Sequence, residues 1–160
     1  MGTLRAIGRF SSRFAASVAM AAWVGGFMVY GGLVVAILDE TLGRYEAGMI
    51  TRRVTVGLNI IGMVAVGTCA LLAWVEREVG RRIDRRSRLA LLALSAASLL
   101  MLAVLHSEMD RRLDSTGLRG FKPWHRAYLM VSTGQWLANL GLIGVTIRIW
   151  TDRGPRKDQE

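Results

Sequence analysis

The residues of this chain best suited to chemistry are two histidines, each close in sequence to charged or coordinating neighbours. One opens His106-Ser107-Glu108-Met109-Asp110, with Asp114 a turn further on; the other stands in Trp124-His125-Arg126. On a helix, His106, Asp110 and Asp114 recur every four residues and share nearly one face. A short return after them makes the next helix an antiparallel neighbour, with His125 at the depth of His106. Imidazole and carboxylate ligands gathered there suit zinc, copper or iron, and Met109 biases the set towards a soft ion. His106, His125, Asp110 and Met109 are therefore the candidate metal or haem set. The plainer reading carries more weight. Two histidines on separate helices lack the fixed spacing of a metal motif, and Asp110 beside Arg111, Arg126 or a histidine is an ordinary hairpin ion pair.

A second group of polar residues lies inside apolar sequence: Asn59, then Ser132, Gln135 and Asn139. The last three stand at i, i+3 and i+7, so they form one stripe, continued by Tyr128 and His125. Amides within hydrocarbon commonly tie helices together, at about 0.6–2 kcal/mol per hydrogen bond. The alternative is a lined cavity that takes a lipid or small apolar ligand between helices. Away from the ends of the expected spans there is no Asp, Glu, Lys or Arg, which argues against a proton pump or ion-coupled carrier. No nucleophile–base pair, phosphate loop or Cys-x-x-Cys is present, and adjacent His106 and Ser107 point about 100° apart on a helix. The expectation is a non-enzyme. The single Cys69 packs as a small hydrophobe.

These groups sit in four apolar stretches, about 14–38, 54–75, 88–106 and 124–150, joined by Arg-rich connections. About 20 apolar residues cross a bilayer as a helix, and only internally satisfied backbone survives there. The chain is 52% hydrophobic yet carries a net charge of +9. Its charges gather in the connections instead of forming one basic face, so the excess marks membrane edges and excludes a nucleic-acid partner. The expected fold is all-α, a single domain over residues 1–160 forming an up-down-up-down four-helix transmembrane bundle. Ser11 and Ser12 are expected caps of helix 1, and the first stretch is too long for a cleaved signal.

Thirteen Lys and Arg fall in the N-terminus (Arg5, Arg9, Arg13), the second connection (Arg77, Arg81, Arg82, Arg85, Arg86, Arg88) and the tail (Arg148, Arg153, Arg156, Lys157). Eight fall in the other two connections: Arg44, Arg52, Arg53, then Arg111, Arg112, Arg119, Lys122 and Arg126. This bias places both termini in the cytoplasm, with loops 39–53 and 106–123 outside, in a bacterial-type inner membrane. Attraction to anionic lipid explains the basic second connection. Trp74, Trp124 and Trp150 mark the span edges, Trp23 and Trp136 lie deeper, and Lys122-Pro123 precedes helix 4. Gly25, Gly32, Gly62, Gly134, Ala138 and Gly141 supply small-residue faces for helix packing.

The run Trp23-Val24-Gly25-Gly26, the connection 43–53 with Glu46-Ala47-Gly48, and Phe121-x3-His125 resemble the four-helix membrane proteins related to transmembrane protein 205. That resemblance implies a four-helix bundle without an established activity. The Trp-Gly-Gly run and outward histidines also resemble, distantly, copper-resistance membrane proteins of the D type. Copper handling, as that likeness implies it, maps onto His106, His125 and Met109, although this chain has half as many helices and no rich His/Met array. Together these readings describe a small accessory or structural membrane protein, surrounded by lipid, that acts on another membrane protein or on a second copy of itself. The sequence requires no cofactor, and metal or haem at the His106/His125 end is the alternative.

Overall fold

The structure is a computed structural model that describes residues 2–76 and 82–151, with side chains for 7–43, 46–76, 82–112 and 122–151. Of the positions named above, the side chains of Arg5, Arg44, Asp114, Arg119 and Phe121, and all of Arg77, Arg81, Arg153, Arg156 and Lys157, lie outside the described residues. All regular structure described is helical: α1 (Gly2–Val29), a π-helical segment (Tyr30–Val34), α2 (Val35–Leu42), α3 (Arg44–Val75) and α4 (Arg82–Thr151). The chain divides into two compact units, Met1–Leu72 and Ala73–Glu160.

The first unit is a helical hairpin closed at Gly43. Its φ of 77° and ψ of 163° end α2, and φ in that range is open to glycine at little cost. The Ala47 N–H then bonds the Gly43 carbonyl at 3.1 Å, which starts α3 without an intervening loop. The expected outer loop 39–53 is thus mostly helix, and α3 begins ten residues before the expected position 54. The entry to α1 also differs. Ser12 is no cap, because its hydroxyl donates to the Gly8 and Arg9 carbonyls within a helix already under way. At Tyr30–Val34 the Val35 N–H reaches back to the Tyr30 carbonyl, the wider i→i+5 bonding of a π-helix.

Ala16, Met20, Trp23 and Val24 are the buried stripe of α1; Gly62, Ala65, Val66, Cys69 and Leu72 are that of α3. Both follow the i, i+3, i+4, i+7 recurrence of an apolar helix face. The tightest of the described glycines is Gly62, where an added β-carbon would overlap the Trp23 indole ring. Leu58 passes Gly26 at 3.4 Å by the same measure.

The second unit is another hairpin, although α4 is helical from Arg82 to Thr151. At 1.5 Å per residue a straight run would hold Ser95 and Asn139 about 66 Å apart. Instead their side chains are in hydrogen-bond contact, so the chain doubles back between them. The expected loop 106–123 is helical, and Pro123 lies within the helix instead of ahead of it. Leu102, Leu105, Met109 and Tyr128 form the apolar core near the reversal, with Trp124, Ala127 and Val131 against it.

Three described segments are long and apolar enough to cross a membrane: Ile7–Leu42, Glu46–Val75 and Arg82–Arg112. The fourth stretch, 124–150, is not among them. His125 and Arg126 open it, and Gln135 and Asn139 interrupt it, which lowers its apolarity below that of the other three.

Replacing Gly62 with alanine drives a methyl into the buried Trp23 ring, and overpacking of this kind costs about 1–3 kcal/mol. Gly67→Ala, on the same helix where no neighbour stands within 4 Å, is expected to be near neutral. Denaturation midpoints in mild detergent compare the two; equal midpoints would contradict the packing.

Candidate functional site

The second hairpin buries an axis of polar side chains. At its middle, the Ser95 hydroxyl donates to Asn139 Oδ1 at 2.8 Å, linking residues from the two limbs. Gln135, one turn before Asn139, sends Nε2 towards the Ser95 carbonyl at 3.5 Å. Ser95, Ser132, Gln135 and Asn139 are all buried, so the stripe expected on helix 4 faces inward. Ser95 escapes sequence reasoning because one serine in an alanine-rich helix gives no signal until the antiparallel register sets it opposite Asn139.

Ser132 behaves differently from its neighbours. Ser87, Ser98, Thr133 and Thr151 return their hydroxyls to carbonyls of their own helix four residues earlier, at 2.8–3.1 Å. The Ser132 Oγ is buried without a hydrogen-bond partner, and so is Trp136 Nε1 one turn further along. Both groups can donate to an acceptor. Asn59, the other amide of the expected stripe, is half-buried on α3 in the first unit.

One end of the hairpin holds a charged network. Glu76 Oε2 accepts from the Trp150 indole N–H at 3.2 Å and lies 3.5 Å from Arg88 Nη1. Asp84 Oδ1 stands 3.8 Å from Arg148 Nε, and its Oδ2 is buried without a hydrogen-bond partner. Glu76, Asp84 and Arg88 are buried although they belong to the connection expected to lie against anionic lipid at the membrane edge. The helix begins at Arg82 instead of near residue 88, which carries Asp84 and Arg88 onto its inward face, four residues apart. Both stand in the opening turns of the segment Arg82–Arg112, at the edge of the apolar stretch expected from about residue 88.

Near the reversal, His106 Nε2 is 3.8 Å from Asp110 Oδ2, the i, i+4 pairing that the sequence suggests. His106 is tilted against the Tyr128 ring, with centroids 6.5 Å apart. His125 is exposed, and Met109 is buried in the apolar core beside Leu105 and Tyr128. Among the described residues, no group of three or more His, Cys, Asp or Glu side chains is placed to hold a metal ion. Glu108 instead clamps Arg111 and Arg112 at 3.1 and 2.8 Å, and Arg112 lies 5.6 Å from the Trp124 ring centroid. The small residues divide into two kinds. Gly141 has Leu91 at 3.6 Å from a β-carbon position and Ala138 is buried, whereas Gly25, Gly32 and Gly134 meet nothing within 4 Å.

Removing one partner of a buried ion pair strands the other charge, at about 3–5 kcal/mol. Arg88→Met is therefore expected to destabilise the hairpin strongly, and Arg88→Met with Glu76→Leu to recover most of the loss. Ser95→Ala and Asn139→Ala should each cost about 0.6–2 kcal/mol, and the double variant should cost less than their sum. Unfolding titrations in lipid–detergent mixtures measure both sets, and strict additivity at Ser95 and Asn139 would show that their bond contributes nothing.

No curated protein and no solved structure matches this chain. A family profile does, over residues 18–117, which takes in most of the first hairpin and the first limb of the second. That match spans more than half of the sequence, and the chain belongs to the family described as a domain of unknown function, DUF4149.

Proposed function

We propose that this DUF4149 protein is a non-enzymatic accessory subunit of a membrane, acting through its helix faces on another membrane protein or on a second copy of itself. The observation that supports this reading is the division of apolar surface. The apolar window of Ile7–Leu42 is only 11% buried within the chain, against 33% for Glu46–Val75 and 28% for Arg82–Arg112. The first segment is thus almost wholly available to lipid or a partner, and Gly25 and Gly32 on it have no neighbour of their own. Seven residues apart, they share a face on which another helix can approach closely. In this reading the chain crosses a bacterial-type inner membrane four times with both termini in the cytoplasm. The amide-bearing fourth stretch is carried across by the bonds that link it to the limb before it.

The likeness to the transmembrane protein 205-related family belongs to the same proposal. Copper or haem at the His106/His125 end is the less favoured alternative, because Met109 is buried in the apolar core and His125 is exposed. Binding of a lipid or small apolar ligand between helices has a specific observation behind it. The buried Ser132 hydroxyl and Trp136 indole N–H have no partners and together suit a carbonyl oxygen.

Crosslinking in native membranes, followed by native mass spectrometry, is expected to return a complex or homo-oligomer that Gly25→Leu with Gly32→Leu disrupts while helicity is kept. A monomer in mild bilayers, with no crosslinked companion, would remove the accessory reading. For the ligand reading, Ser132→Ala should release any co-purifying apolar molecule bound to wild-type protein; retention at the wild-type level would exclude the serine as its donor.

A further inference from the structure

The first two turns of α4 sort their charges by face. Asp84 and Arg88 point inward, where Asp84 meets Arg148 and Arg88 meets Glu76, so the described acids of this region are buried beside cations. Arg82, Arg85 and Arg86 are exposed, as are Ile83 among them and Leu89 one turn further on. The outward surface therefore carries guanidinium groups and alkyl side chains, with no described carboxylate. Ile83 is 69% exposed, a costly position in water but a natural one where a helix enters acyl chains. The segment that these turns open, Arg82–Arg112, is itself long and apolar enough to cross a bilayer, which sets its first turns at headgroup depth.

We propose that this face binds anionic phospholipid headgroups. Arg82 and Arg86 donate N–H bonds to phosphate oxygens, in the forked geometry that guanidinium favours. Ile83 and Leu89 seat the roots of the acyl chains, and the arginine stems lie along the same apolar boundary. Selectivity for net negative lipid follows from the sorting of charge. The exposed Arg82 and Arg86 attract phosphate, while the carboxylates of Glu76 and Asp84 are turned inward beside cations and do not offset them. A surface with the same residues but outward acids would attract both lipid classes more evenly.

The test uses the full chain, extracted in mild detergent and titrated in native mass spectrometry with phosphatidylglycerol or phosphatidylcholine of matched chains. Wild-type protein is expected to retain phosphatidylglycerol in preference, with the preference falling as salt rises. Arg82→Gln with Arg86→Gln should weaken phosphatidylglycerol retention roughly twenty-five-fold, about fivefold per arginine, and leave phosphatidylcholine unchanged. Arg82→Lys with Arg86→Lys keeps the charge and should keep most of the preference, which separates lipid binding from a folding defect. Arg111→Gln, near the hairpin reversal, should have no effect. Equal retention of the two lipids by wild type, or undiminished phosphatidylglycerol retention by the folded double glutamine variant, would overturn the proposal.

Discussion

This chain presents far more apolar surface than it can cover with itself, and that imbalance constrains everything else in the molecule. Even the most enclosed of its three span-length windows is one-third buried, so the remainder belongs in hydrocarbon. Hydrocarbon offers backbone groups no hydrogen bonds, and the helix satisfies them without help from a neighbouring segment. The consequence is visible in how little of the described chain is loop. Gly43 alone reverses the first hairpin, and in the second α4 is helical from Arg82 to Thr151. Connections that would be loops in water are absorbed into the helices.

The same constraint governs the polar side chains. On a largely apolar helix an amide gains by facing the opposite limb, as Asn139 does towards Ser95. Charges follow the rule at higher cost, because an isolated ion is far more expensive to enclose than an amide. Glu76, Asp84 and Arg88 are enclosed together with Arg148 and Trp150 nearby, so opposite charges meet within one network. Near the reversal, the His106–Tyr128 and Arg112–Trp124 contacts take the corresponding place. The hairpin is thus tied at each end and at its middle by different chemistry.

Much of this is legible in the sequence, and the reasons differ by element. Helix type is readable because long apolar runs with glycine and alanine but little proline have one solution in lipid. That Ser132, Gln135 and Asn139 share one face is readable from spacing alone; its inward direction comes from the packing. Helix ends are not. Charged residues such as Arg52 and Arg86 look like loop markers, yet helix continues through both, since arginine is a good helix former whose long stem can reach water from within a helix. The buried Glu76–Arg88 pair stays hidden for the same reason, because Arg88 acquires a direction only once the helix is known to start before it.

The glycines make the same point at finer scale. Composition marks Gly25, Gly32, Gly62, Gly134 and Gly141 as equivalent small residues, and nothing in their immediate sequence separates them. The structure divides them by what stands opposite: the Trp23 ring at Gly62, Leu91 at Gly141, and no side chain at the other three. A glycine opposite a tryptophan is explained by the room that the ring needs. A glycine in a helix with nothing opposite has no such explanation within the chain, and it forgoes the side-chain surface that alanine would offer to lipid or protein. Gly25 and Gly32 lie on the segment that buries least, and Gly32 falls in the π-helical turn Tyr30–Val34, where the backbone bonding itself departs from the α-helix.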